Sequence, residues 1–126
     1  MNYAVIFAGG VGSRMYTSKT PKQFIQVSGK PIIIHTIWNF EKHEDIHGIC
    51  VICVRGWSEK LREMIRREGI QKVRWIVEGA ETGQQSIYNG LKAIYDESGD
   101  PSGDMVLIND GVRPFVEPYI IDQNIR

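Results

Sequence analysis

Apolar positions along the chain fall into four short runs separated by stretches of helical periodicity. The runs are Tyr3-Ala4-Val5-Ile6-Phe7-Ala8, Gly48 to Val54, Val73 to Val77 and Met105 to Ile108. Such continuous runs fit strands covered on both faces better than strands with one wet face. Between the first two runs, Phe24 to Val27 reads as a short extended piece closed by a turn at Ser28-Gly29-Lys30. Pro31 is suited to a first helical position, and the helix it opens runs to about Lys42, with Ile33, Ile34, Ile37, Trp38 and Phe40 inward. A second helix spans Glu59 to Glu68, with Ser58 as N-cap, Gly69 as stop and Leu61, Met64 and Ile65 inward. Its Lys and Arg residues form a solvated face. A third covers Gln84 to Asp96, with Ile87, Leu91 and Ile94 inward, and Pro118 to Arg126 opens a fourth.

Strands alternating with helices predict βαβ units with right-handed crossovers. The expected architecture is α/β: a Rossmann-like three-layer sandwich, with a mostly parallel sheet and helices on both faces. In such sheets, ligands sit beyond the carboxyl ends of the strands. The loops after the first, third and fourth runs carry the polar and glycine residues of interest, so all three converge on one sheet edge.

Composition narrows the classes of partner. The 126 residues suit one domain, and 42% hydrophobic with 24% charged residues reads as soluble and globular. Lys+Arg and Asp+Glu are both 15, giving zero net charge. That argues against nucleic acid or a membrane surface as partner. No signal-like or membrane-spanning run is visible, and a cytoplasmic location is expected. Cys50 and Cys53 lie three apart on a predicted strand, hence on opposite faces, and read as two buried thiols rather than a redox or zinc pair. His35, His43 and His47 pair with no nucleophile and read as structural, while Trp38 and Trp57 read as packing residues.

The candidate chemistry follows the first run. Phe7-Ala8-Gly9-Gly10-Val11-Gly12-Ser13-Arg14-Met15 places three glycines within four positions, with Arg14 and then Lys22 behind them. Glycine permits close backbone approach, and successive N–H groups form a concavity for phosphate oxygens. The spacing is not that of a P-loop, which requires G-x-x-x-x-G-K-[ST]. A dinucleotide fingerprint would need glycine where Met15 stands and an acid where Ile32 to Ile34 stand.

The stretch Ala8 to Met15 followed by Pro21-Lys22-Gln23-Phe24 resembles the signature of nucleotidyltransferases that build NDP-sugars and NDP-alcohols. The Pro-Lys-Gln-Phe form is similar to one branch, the 2-C-methyl-D-erythritol 4-phosphate and ribitol-5-phosphate cytidylyltransferases. Gly83-Gln84-Gln85-Ser86-Ile87-Tyr88-Asn89-Gly90-Leu91 and Asp110-Gly111-Val112-Arg113-Pro114-Phe115 resemble two later segments of that branch. The resemblance implies transfer of CMP from CTP to a polyol phosphate with loss of pyrophosphate. It implies that the main chain of Ala8, Gly9, Gly10, Val11 and Gly12 holds the triphosphate. Arg14 and Lys22 would be the catalytic cations, and Asp110 the ligand of a Mg²⁺ cofactor. Ala80, Glu81, Ser86 and Gly111 would complete the nucleotide site, with Ser86 and the Gly79-Ala80-Glu81 loop reaching cytosine or ribose. Arg113 would tie its loop to a carboxylate. Simpler roles remain open at this point: a solvated loop lysine for Lys22 and an Asx turn for Asp110.

Three positions depart from the branch pattern: Gly83 where Arg is frequent, Ala80 where Gly is frequent, and Gly111 for Ala. Members of the branch are also longer, and their second half supplies acceptor contacts and a dimerisation arm. Residues 1–126 are therefore expected to be the nucleotide-binding part of a single, C-terminally truncated nucleotidyltransferase domain from a homodimeric parent, with weak CTP binding and poor turnover. Alternatives are a sugar-1-phosphate nucleotidylyltransferase using UTP or GTP, or a non-catalytic nucleotide-binding fragment.

Overall fold

A computed structural model describes residues 2–8, 22–98 and 105–110. Its first strand, β1 (Asn2–Ala8), is central in a four-stranded sheet that also contains β4 (Gly48–Cys53), β5 (Val73–Glu78) and β6 (Met105–Asp110). The order is β5-β4-β1-β6, and every pairing is parallel. From β1 the chain steps twice in one direction, through α1 (Ile32–Glu41) to β4 and through α2 (Ser58–Glu68) to β5. It then returns through α3 (Gly83–Ser98) to β6 on the far side of β1. Reversing the direction of a right-handed crossover puts its helix on the opposite face, so α1 and α2 cover one side and α3 the other. The expected α/β class, parallel sheet and three layers are all present.

The alternation of β1 sorts its side chains accordingly. Ala4, Ile6 and Ala8 join Ile33, Ile34, Ile37 and Phe40 of α1 and Leu61 and Ile65 of α2 in one buried cluster. Tyr3, Val5 and Phe7 face the α3 side, with Cys50, Ile52, Ile87, Leu91 and Ile94. Cys50 and Cys53 do lie in different clusters, both as buried free thiols. Burial pushes the Cys50 thiol up to about 12 and the Cys53 thiol up to about 11, so both stay protonated and unreactive at neutral pH.

Local details differ from the sequence expectation in three places. Phe24 belongs to a 3-10 turn, Lys22–Phe24, rather than to an extended piece. The extended part is a two-residue hairpin, β2 (Gln26–Val27) and β3 (Lys30–Pro31), so Pro31 precedes α1 instead of starting it. Its turn residues Ser28 (φ 54) and Gly29 (φ 84) are both left-handed, the backbone that matches strand twist in a tight hairpin. Ser58 is the first residue of α2, not its cap; Trp57 takes the cap position without a capping side chain. The cause is the preceding turn. Trp57 N–H bonds the Val54 carbonyl at 3.2 Å, and Leu61 N–H already bonds the Trp57 carbonyl at 2.9 Å. Gly69 (φ 75) stops α2 as expected, with Ile70 N–H returning to the Ile65 carbonyl at 3.1 Å. The expected helix at Pro118 to Arg126 lies outside the described residues. Among the described residues no helix is long and apolar enough to cross a membrane.

Candidate functional site

Strand order reverses between β1 and β6, which makes the carboxyl ends of these two strands the crevice where this kind of sheet takes ligands. The register sets the candidates side by side there. Phe7 pairs with Asp110 and Ile6 with Asn109, so β6 ends beside the exit of β1. Ala8, the last residue of β1, pairs with Cys53 on the other side. β6 runs two residues further than the apolar pattern suggests, because pairing with β1 continues through Asn109 and Asp110.

The turn that opens at Lys22 is brought to the same place by its neighbour. Gln23, only 5% exposed, donates from Nε2 to the Ala8 carbonyl at 2.5 Å. A buried amide bonded to the last carbonyl of β1 fixes the backbone of Lys22–Phe24 against the strand exit. Phe24 is buried as well and stacks on Trp57, with ring centroids 4.6 Å apart and planes at 27°. Trp57 is thus a packing residue, as expected. Trp38 packs on the α1–α2 cluster, and its Nε1 donates to Glu68 at 3.4 Å.

The third loop, between β5 and α3, is held by a small hydrogen-bond network centred on Ser86. Ser86 is 1% exposed. Its Oγ accepts from Ala80 N–H at 2.7 Å and donates to the Thr82 carbonyl at 2.9 Å. Thr82 Oγ1 accepts from Gln85 N–H at 3.1 Å, an N-cap bond for α3. Gly79 N–H bonds the Cys53 carbonyl at 2.8 Å, and Arg55 Nε donates to the Gly79 carbonyl at 3.0 Å. Glu81 is exposed at the tip. Ser86 therefore spends its hydroxyl proton inside the loop, and its side chain shapes the backbone of Gly79 to Thr82.

The structure brings Ala8, the Lys22 turn and the end of β6 at Asp110 to the carboxyl edge near the strand-order reversal. It puts Ala80, Glu81 and Ser86 at the same edge beyond β5. Gly9, Gly10, Val11, Gly12, Arg14, Gly111 and Arg113 lie outside the described residues. The three histidines serve the backbone: His47 Nδ1 accepts from Asn2 N–H at 2.9 Å, His43 Nδ1 from Asp45 N–H at 3.2 Å, and His35 Nε2 meets the Val27 carbonyl at 2.5 Å. Two residues with a part in this edge escape the sequence reading. Gln23 was visible only as a motif letter. Arg55 is legible only as a lone cation just past the second apolar run, where no motif stands.

The family model of 2-C-methyl-D-erythritol 4-phosphate cytidylyltransferase, IspD, matches residues 2–126. The chain belongs to the IspD family. Within that family it is 49% identical over its whole length to a ribitol-5-phosphate cytidylyltransferase of Vibrio parahaemolyticus, of which it covers 52%. It is 40% identical over 125 residues to a 2-C-methyl-D-erythritol 4-phosphate cytidylyltransferase of Clostridium botulinum, again covering 52% of that protein. The crystal structure of 4-diphosphocytidyl-2C-methyl-D-erythritol synthase from Anaerococcus prevotii superposes with a TM-score of 0.75 at 29% identity, over 99% of this chain and 49% of that one. The chain thus spans about half the length of the IspD-family relatives it matches.

Proposed function

We propose that this chain carries the nucleotide half of a cytidylyltransferase that moves CMP from CTP to a polyol phosphate. The observation that carries the reading is the register Phe7↔Asp110, which joins the exit of β1 to the end of β6 at the strand-order reversal. A phosphate oxygen of the acceptor forms the new bond to the α-phosphorus, the bond to the bridging oxygen breaks, and pyrophosphate leaves. The nucleophile is already an anion, since the second pKa of a phosphate monoester is about 6. No general base is required, and the protein's contribution is positioning and charge stabilisation. In this reading the N–H groups of Gly9 to Gly12 hold the triphosphate, and Arg14 and Lys22 offset charge on the α-phosphoryl and the leaving group. The Ser86-braced loop at Ala80 and Glu81 borders the base. Asp110 would be the donor for Mg²⁺, a hard ion that needs few protein carboxylates, so a single aspartate fits. The ion would neutralise phosphate charge there.

D-Ribitol 5-phosphate is the favoured acceptor, supported by the higher identity to the ribitol enzyme than to the methylerythritol one. The test is pyrophosphate release by the intact protein from CTP, UTP, GTP and ATP with each of the two acceptors. Release with CTP and ribitol 5-phosphate is expected. Preference for UTP or GTP overturns the cytidylyl reading, and preference for 2-C-methyl-D-erythritol 4-phosphate overturns the acceptor.

A further inference from the structure

The turn between β4 and α2 touches both loops that flank the candidate site, although no motif covers it. Val54 to Trp57 is closed by the Trp57 N–H to Val54 carbonyl bond at 3.2 Å, and Gly56 supplies the left-handed residue (φ 87) that such a turn needs. From this one turn, Arg55 reaches the Gly79 carbonyl at 3.0 Å on the base side. Trp57 reaches Phe24 at 4.6 Å on the Lys22 side. Gly79 is pinned at both polar atoms, since its N–H bonds the Cys53 carbonyl at 2.8 Å. Phe24 is likewise one of two buried anchors of the Lys22 turn, the other being Gln23 on the Ala8 carbonyl. Lys60 Nζ sits 4.4 Å from the Trp57 ring, so the indole is held from α2 as well.

We propose that Val54 to Trp57 is a bracket, in which Trp57 and Arg55 are positioning residues for nucleotidyl transfer. Trp57 sets the turn bearing Lys22, and Arg55 sets the backbone beside Ala80 and Glu81. The two act on different walls, so their loss separates kinetically. This inference rests on the functional reading above. A cation displaced by about 1 Å costs up to about a hundredfold in rate without weakening ground-state binding to match. Loosening the base loop removes binding common to ground and transition states.

The experiment uses the intact protein and whichever of the four nucleotides the wild type turns over best, with kcat, KM, equilibrium nucleotide binding and Tm measured in parallel. Trp57→Ala is expected to lower kcat about tenfold or more with nucleotide KM and Kd within about twofold, and Trp57→Phe, which keeps the stack, to restore most of the rate. Arg55→Ala is expected to raise KM and Kd about fivefold with kcat within about twofold. Variants that change Tm alone, or that lose activity only as the folded fraction falls, overturn the bracket. So does a Trp57→Phe variant as slow as Trp57→Ala. A wild type that prefers UTP or GTP overturns the cytidylyl reading instead, while the split between the two residues still decides the bracket.

Discussion

The two faces of the sheet are packed by different means. On the α1–α2 side, Ile33, Ile34, Ile37, Phe40, Leu61 and Ile65 are all buried against Ala4, Ile6, Ile49 and Val51. On the α3 side, Ile94 is the helix's one buried aliphatic among the described residues, and Tyr88 and Tyr95 stand 58% and 54% exposed. What α3 has instead is proximity. A Cβ on Gly90 would lie 3.1 Å from Ile52 Cδ1 and 3.4 Å from Cys50 Sγ, so the helix backbone rests nearly on the sheet. The first face spends its side chains on a thick apolar layer. The second holds a thinner layer at close range, and its helix begins with the Ser86 network that shapes the loop at Ala80 to Thr82. Most of the burial is on one face, while α3, on the other, holds a loop of the candidate site at the sheet edge.

That division predicts unequal losses. Phe40→Ala removes one of the largest fully buried side chains and leaves a cavity in the thick layer, and is expected to cost about 3–5 kcal/mol in urea-unfolding free energy. A loss under about 1 kcal/mol would mean that this face is not the main store of stability. Gly90→Ala probes the other face and sets two effects against each other. The methyl gains about 0.5–1 kcal/mol of helix propensity, but it crowds a buried isoleucine, where overpacking costs about 1–3 kcal/mol. The net expectation is destabilisation by about 1 kcal/mol in the same measurement. A stabilised variant would show that α3 has room to move away from Ile52 and that its close approach is incidental.

How much of this was legible in the sequence depended on where the determining forces lie. The strands and the three helices could be read because apolar periodicity records burial directly, as with Ile33, Ile34 and Ile37 in α1. Gly69 could be read because only its left-handed conformation ends α2 cleanly. The cap at Ser58 was misread because residue preference at a cap is local, whereas the Val54–Trp57 turn moves the helix start by one residue. The hairpin at Gln26 to Pro31 was half read, since Ser28 is an unusual left-handed residue and Gly29 the expected one. The candidate site was legible in its motif letters but not in its bracing. Gln23 on Ala8, Arg55 on Gly79 and Ser86 on Ala80 join residues brought together only by the strand order β5-β4-β1-β6 and by the start of α3.

The smallest effect tests how the hairpin is fastened to the thick face. Lys30 Nζ lies 2.7 Å from Glu68 Oε1, and Trp38 Nε1 donates to the same oxygen at 3.4 Å, so one carboxylate of α2 ties the hairpin and α1 together. The hydrogen bond from Lys30, helped by the one from Trp38, holds the Glu68 carboxyl below the usual glutamate range. A lowered folded-state pKa means that the unfolded chain binds the proton more tightly. The stabilisation is then complete above the ordinary glutamate value and is lost as pH falls through the lowered one. Lys30 is 45% exposed, so solvent screens the pair and its worth is below about 1 kcal/mol. Glu68→Gln is therefore expected to lower stability slightly near pH 7, with wild type and variant converging as pH falls below the ordinary glutamate range in parallel urea titrations. The counterpart on the thin face, Glu97, takes Trp75 Nε1 at 2.6 Å and Arg74 at 2.5 Å but is itself exposed. A gap between wild type and Glu68→Gln that persists at low pH would show that the carboxylate's charge is not what fastens the hairpin, leaving the β2–β3 backbone pairing and the packing around Trp38 to hold it.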